Sequence, residues 1–319
     1  MIEKIKTRFK GLFKRPERRK LTKMQRKQER LAYLFILPAL VFFSVFVVAA
    51  IGMAVYFSFC SYTQRNIALV DWVGFDNYIE IFTTEGMKPF RESLWHVLYY
   101  AVMYVPMVVA MSLLFAVLVN QKIKGAKVFR VMYYIPSITS GVAVAFIFKF
   151  LFDPAQYGLM NVVIGWFGGK PLDWLGTEGL AMFCIALVNV WGGIGGNMII
   201  YLAALQGVPP DQIEAAKVDG ANKKQIFLHI TLPQIAQATF FVVMMSLIGS
   251  FQLYDQVKIM TGGGSGTSTP VFQIYMMAFD PGSSRSGMAN AMAVVLFVLI
   301  MLVTSLNNFL QNKINAKYE

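Results

Sequence analysis

The sequence predicts an all-α membrane protein with six transmembrane helices, and three observations lead there. Hydrophobic residues make up 56% of the 319 and charged residues only 14%, so most of the chain belongs where charge is costly. Six apolar stretches approach or exceed the roughly 20 residues a helix needs to cross about 30 Å of hydrocarbon. Lys and Arg are abundant in alternate connections only, as expected if positive loops stay cytoplasmic. A very apolar soluble domain would need those stretches broken into helices of about 8 to 20 residues, and they are not broken that way.

The first stretch, 31–59, is too long for a cleavable signal peptide and follows a segment too polar for one, so it reads as an uncleaved span. The others run over 93–119, 128–152, 179–206, 235–257 and 287–310. Residues 1–30 hold thirteen of the 29 Lys and Arg, and the connection after the second span holds Lys122, Lys124, Lys127 and Arg130. Lys217, Lys223 and Lys224 follow the fourth span, and Lys313 and Lys317 follow the sixth. The alternate connections are poorer. Arg65, Lys88 and Arg91 stand against five carboxylates, Lys170 stands alone, and Lys258 and Arg285 complete the set. Both termini are therefore expected on the cytoplasmic side. The expected organisation is a basic segment 1–30, a six-span domain 31–311 containing a loop at 207–233, and a tail 312–319.

The net charge of +12 sits mostly in the first segment, beside a span, which argues against a nucleic-acid partner. There Ile2, Ile5, Phe9, Leu12 and Phe13 recur at helical spacing between basic residues, the pattern of a helix lying on an anionic lipid surface; a disordered basic tail is the alternative. Cys60 and Cys184 stand alone at the edges of two apolar stretches and form neither a disulfide framework nor a metal cluster.

The loop 207–233 has its own local logic. Pro209 and Pro210 end the fourth span and suit the first turn of a helix, with Asp211 and Glu214 near its positive end. Gly220 can stop that helix in the left-handed conformation, and Asn222 with Gln225 makes a capping box for a second helix, which Pro233 is expected to end. Two short helices cannot bury Ile213, Ala216, Ile226, Phe227 and Ile230 by themselves. They form either a knob for a cytoplasmic partner or a hairpin lying on their own bundle.

The loop resembles the EAA signature of binding-protein-dependent ABC importer permeases: Glu214, Ala215 and Ala216, then Asp219, Gly220 and Ala221, then Ile230, Leu232 and Pro233. Gln237 departs from it, where many relatives carry a second proline, and this is expected to affect the start of span five. Further segments, 73–78 (VGFDNY), 133–136 (YYIP), 150–154 (FLFDP), 202–208 (LAALQGV) and 261–264 (TGGG), resemble the sugar-importing class, and within it the first permease of maltose and glycerol-3-phosphate type systems. The resemblance implies the type I ABC importer permease fold in a bacterial cytoplasmic membrane. It implies heterodimerisation with a second related permease, two ATP-binding subunits that hold the ATP and magnesium, and an extracytoplasmic sugar-binding protein. It also implies that Glu214, Ala215, Ala216, Asp219 and Gly220, with Phe227 from the apolar set, couple to an ATP-binding subunit through a coupling helix.

The middle of the bilayer falls near residue 192 in span four, within a run from Asn189 through Trp191, Gly192 and Gly193 to Asn197. Four glycines there cost about 1 kcal/mol each relative to alanine. Either the helix is unwound around a substrate, or Gly192 and Gly196 permit close packing. Span five adds Ser246, Ser250, Gln252, Tyr254 and Asp255, and these hydroxyls, amides and aromatic faces suit a sugar. A serine in a membrane helix can instead bond its own backbone, Asp255 can pair with Lys258, and Lys149 can snorkel to the headgroups.

No P-loop spacing occurs, and His96 and His229 belong to no nucleophile or metal constellation, so neither ATP hydrolysis nor another catalytic activity is expected of this chain. The six span centres also lack the Asp or Glu that a proton- or sodium-driven transporter uses for coupling.

Overall fold

The computed structural model describes residues 23–63, 70–121, 125–155, 158–280 and 285–315. The apolar set from Ile2 to Phe13, with its expected surface helix, lies outside the described residues. The chain divides into two units, ending and beginning at Ala54 and Val55.

The described part of the first unit is helical: α1 (Lys23–Phe43) passes through a π-helical turn at Ser44–Val48 into the first residues of α2 (Ala49–Ser58). The helix begins before the predicted span, so the last residues of the basic segment are its first turns. Every side chain from Leu31 to Ala50 is exposed, and most are apolar, a surface that lipid solvates and water does not.

In the second unit, β1 (Cys60–Ser61) pairs antiparallel with β2 (Asp71–Trp72) and leads to α3 (Asp76–Thr83). The long helices α4 (Lys88–Asn120) and α8 (Leu180–Gln206) then lie side by side and run in the same direction. Tyr100 packs in the cluster of Ile185 and Val188, Val108 meets Val190 and Ile194, and Ala116 meets Met198 and Tyr201. Thirteen residues of α8 are buried, which makes it the central element.

Two predicted single spans are bent. The third is α5 (Ala126–Ile138) and α6 (Gly141–Leu151), meeting at 94°. Thr139 and Ser140 are extended at the break, with ψ of 142° and 125°, and Pro136 just before them removes a helical N–H. The fifth keeps regular helix only over α12 (Ala236–Phe251), which the preceding segment meets at 66°, and Gln252 and Leu253 interrupt it before a π-helical turn at Val257–Thr261. Among the described residues, four continuous helices are long and apolar enough to cross a membrane, and counting each bent pair as one span brings the number to six.

Three further helices fall where only connections were expected: α3, α7 (Leu159–Trp166) and α13 (Pro270–Phe279). The last helix, α14 (Ser286–Asn315), continues into the predicted tail. Residues 207–235 leave the bundle where α8 finishes. At the opposite end, buried Asn161 binds a long connection together. Its amide donates to the carbonyls of Pro154 and Leu172 at 3.1 and 3.0 Å, and its oxygen accepts from Trp174 Nε1 at 2.9 Å. Also there, Arg285 clamps Glu80 of α3 with two hydrogen bonds of 2.5 and 2.6 Å.

Candidate functional site

The glycine run is where α5 crosses α8. The helix stays wound through it, so the expected unwinding does not occur, and the close approach falls at different glycines from those expected. A Cβ on Gly195 would lie 2.2 Å from the Tyr133 carbonyl oxygen, and one on Gly193 would lie 3.0 Å from Tyr104 Oη. Gly192 and Gly196 have no neighbour within 4 Å of such a Cβ. Their backbones are tied instead by Ser137, whose Oγ donates to the Gly192 carbonyl at 2.7 Å and accepts from the Gly196 N–H at 3.0 Å. With its turns occupied this way, α8 has no reason to unwind.

One turn toward the opposite end, a cavity of about 220 Å³ gathers four of the predicted residues, Asn189, Gln252, Tyr254 and Asp255. The interruption after α12 positions three of them, because it turns residues 252–256 out of the helical path and across α4 and α8. Tyr100, Tyr104, Gly249, Leu253 and Gln256 complete the wall. The two tyrosines escaped the sequence reading, although their spacing of four in an otherwise apolar span was the available signal; their rings stack at 5.3 Å. Asn189 Nδ2 and Tyr254 Oη are shielded from solvent without a partner in hydrogen-bond geometry; Tyr100 and Lys258 are the groups that approach them.

Other predicted residues lie off this cavity. Trp191 is half exposed and packs edge-on against Phe148 at 5.4 Å, and Asn197 is partly buried nearly two turns further along α8. Ser246 and Ser250 are buried, and Ser250 Oγ donates to the Ser246 carbonyl at 2.7 Å. Asp255 is exposed and does not pair with Lys258, whose Nζ sits 3.9 Å from the Tyr275 ring centroid. Cys60 and Cys184 are buried free thiols.

Beyond α8, the helix α9 (Pro210–Val218) follows the predicted design. Gly220 adopts φ +82°, and Ala221 N–H reaches the Ala216 carbonyl at 2.9 Å to close the C-terminus. Asn222 then caps α10 (Lys223–Ile226): its side chain accepts from Gln225 N–H at 2.9 Å, while Gln225 Oε1 accepts from Asn222 N–H at 2.8 Å. Pro233 does not end this helix. A π-helical turn at Phe227–Thr231 leads into α11 (Leu232–Gln234), whose first turn accommodates the proline, and the bend comes at Ile235.

The loop has one face on the bundle and one face open. Ile213 packs against the bundle and Ile226 is buried, whereas Glu214, Ala215, Asp219 and Gly220 are exposed and Val218 is 88% exposed. Phe227 is half-buried between the two faces. A side-chain hydrogen bond from Gln234 to Gln212 ties α11 to α9. A recess of about 630 Å³, walled by Gln234, Gln237 and Phe241, opens beside the bend.

A bent bundle thus carries a polar cavity at one level and an exposed helix at one end. The family profile described as "Binding-protein-dependent transport system inner membrane component" matches residues 81–316. The chain belongs to that family. Relatives in it include the protein named probable ABC transporter permease protein YesP of Bacillus subtilis (strain 168), 32% identical over 283 residues that cover 88% of this chain and 89% of that protein. Another is the arabinooligosaccharides transport system permease protein AraP of the same organism, 30% identical over 85% of each chain. The fold is shared with a chain of a bacterial alginate ABC transporter solved with an alginate pentasaccharide-bound periplasmic protein. That chain is 22% identical, with a TM-score of 0.77 and coverage of 90% of this chain and 96% of its own. The multi-pass helical architecture is thus that of a type I ABC importer permease, an inner membrane component that is not itself an enzyme.

Proposed function

We propose that this chain is a pathway-forming permease subunit of an ABC importer for sugars or oligosaccharides, with both termini cytoplasmic. The observation that carries the reading is the pairing, on one bundle, of a polar, tyrosine-lined cavity with an exposed loop of the EAA pattern. Neutral hydrogen-bonding groups and aromatic faces recognise sugar hydroxyls and rings. The relatives named for arabinooligosaccharides and the structure titled for alginate support the substrate class.

In this reading Asn189, Gln252, Tyr254 and Asp255, joined by Tyr100 and Tyr104, hold sugar units in transit. Trp191, Asn197, Ser246 and Ser250 support the same stretch of α8 and α12. Glu214, Ala215, Ala216, Asp219, Gly220 and Phe227 seat the loop on an ATP-binding subunit, while a second permease, a further ATP-binding subunit and an extracytoplasmic binding protein complete the assembly. Closure of the ATP-binding pair pushes α9, and the bend at Ile235 passes that movement to α12 and the cavity.

Charge reversal at Glu214, or Gly220→Val, whose side chain strains a φ of +82°, tests this directly. In the reconstituted complex, ATP hydrolysis should continue while uptake falls at least about tenfold, the spans remaining inserted. Unchanged uptake with unchanged assembly would remove the coupling assignment.

A further inference from the structure

A recess of about 520 Å³ opens at the end of the bundle where α4 and α8 begin, within the size range of small-molecule sites. Glu92, Trp95 and His96 line it from one face of α4 and Gln273 lines it from α13, while a glycine-rich turn around Gly266 and, just before α8, Glu178 complete the wall. The turn is fixed in place. Ser265 Oγ donates to the Gly176 carbonyl at 3.0 Å, Gln273 Nε2 donates to Ser268 Oγ at 2.7 Å, and the hydroxyls of Thr261 and Thr267 lie 2.6 Å apart. A Cβ on Gly263 would lie 2.3 Å from a ring carbon of Phe272, and its φ of +78° favours glycine as well, so the sequence specifies the shape of the turn.

The groups around this recess are of the kinds that recognise a sugar, a flat apolar surface to stack on and acceptors for paired hydroxyls. Trp95 is 73% exposed, so its indole is open to a ligand. Gln273 donates through its amide nitrogen to Ser268, which leaves its amide oxygen as an acceptor. Glu178 forms no ion pair among the described residues, whereas Glu92 is held 3.8 Å from Lys88. The recess also lines up with the cavity beside Asn189. Glu92, His96, Tyr100 and Tyr104 recur every fourth residue along α4, and the first two line the recess while the last two line the cavity. The midpoints of these pairs, residues 94 and 102, are about 12 Å apart along the helix at about 1.5 Å per residue. Thr269 Oγ donates to the Leu253 carbonyl at 2.6 Å and so ties the end of the turn to the cavity wall. We propose that the recess is a second sugar site, an outer station at which one unit of an oligosaccharide stacks on Trp95 and hydrogen-bonds to Gln273 and Glu178 before reaching the cavity. The inference rests on the sugar-permease reading and adds a site to it.

The transporter assembled around this chain and placed in lipid nanodiscs, without the binding protein, can be labelled with arabinotriose carrying a photoreactive diazirine, and the labelled peptides located by mass spectrometry. Labelling that excess unlabelled arabinotriose suppresses should fall on the recess, at residues 89–96 and 263–273, as well as on the cavity at residues 252–256. Trp95→Ala, at an exposed side chain, and Gln273→Ala should each cut labelling of the recess at least about fivefold and leave that of the cavity within about twofold. Suppressible labelling of the cavity alone, or recess labelling that survives both substitutions, overturns the outer site and leaves the sugar reading standing. Suppressible labelling at neither place overturns that reading together with it.

Discussion

At the residue scale, the glycine run shows what composition reveals and what it hides. That four glycines near the middle of a span have a compensating use could be read from their cost, but whether it is packing, and at which of them, depends on the direction from which α5 arrives. The structure divides immediate neighbours, with Gly193 and Gly195 at close approaches and Gly192 and Gly196 beside them in open space. A methyl group at Gly195 would meet main-chain atoms of α5, which cannot rotate away, whereas at Gly192 or Gly196 it meets open space. Gly195→Ala should therefore cost about 1 to 3 kcal/mol, visible as a lowered thermal unfolding midpoint in detergent. Gly192→Ala and Gly196→Ala should be neutral or stabilising by up to about 1 kcal/mol, because each removes glycine's backbone entropy from a helix interior. A Gly196→Ala variant as unstable as Gly195→Ala would show that the crossing is misplaced. The serines of span five were open in the same way, and for Ser250 the backbone bond to Ser246 prevails.

At the element scale, the loop between α8 and α12 was the most legible part of the chain, because its signals are local. A proline at N1, a left-handed glycine and a reciprocal cap depend on residues three or four apart, and each occurs where the sequence places it. Pro233 misled because a π-helical turn absorbs the missing N–H, and nothing in the neighbouring residue types announces that turn. The capping box allows a sharp test. Asn222→Ala removes the acceptor for Gln225 N–H and should cost about 1 kcal/mol locally, read as roughly fivefold faster hydrogen exchange at that amide. Lys224→Ala, outside the cap, should leave the exchange unchanged. Equal effects from the two would mean that the cap contributes nothing to order in α10.

At the scale of the whole molecule, apolar runs located six spans but could not show that two of them bend, because hydropathy averages over a window and carries no direction. Nor could the sequence bring together groups from distant segments, of which Glu80 and Arg285 are the clearest case. The hydrogen bonds from Arg285 hold the Glu80 carboxyl below its usual range and raise the guanidinium in turn. A carboxylate depressed in this way stabilises the fold above its ordinary pKa, about 4.3, and the contribution is lost as pH falls through the depressed value. Arg285 stays charged throughout, so Glu80 alone switches the clamp. The two side chains are 29% and 44% exposed, and solvent screening limits the pair to less than about 1 kcal/mol. The unfolding midpoint of the unaltered chain should therefore fall by about 1 to 2 °C more than that of Glu80→Gln between pH 6 and pH 3, with the two profiles converging at the acid end. Parallel profiles across that range would show that the clamp between α3 and the start of α14 adds no stability to the fold.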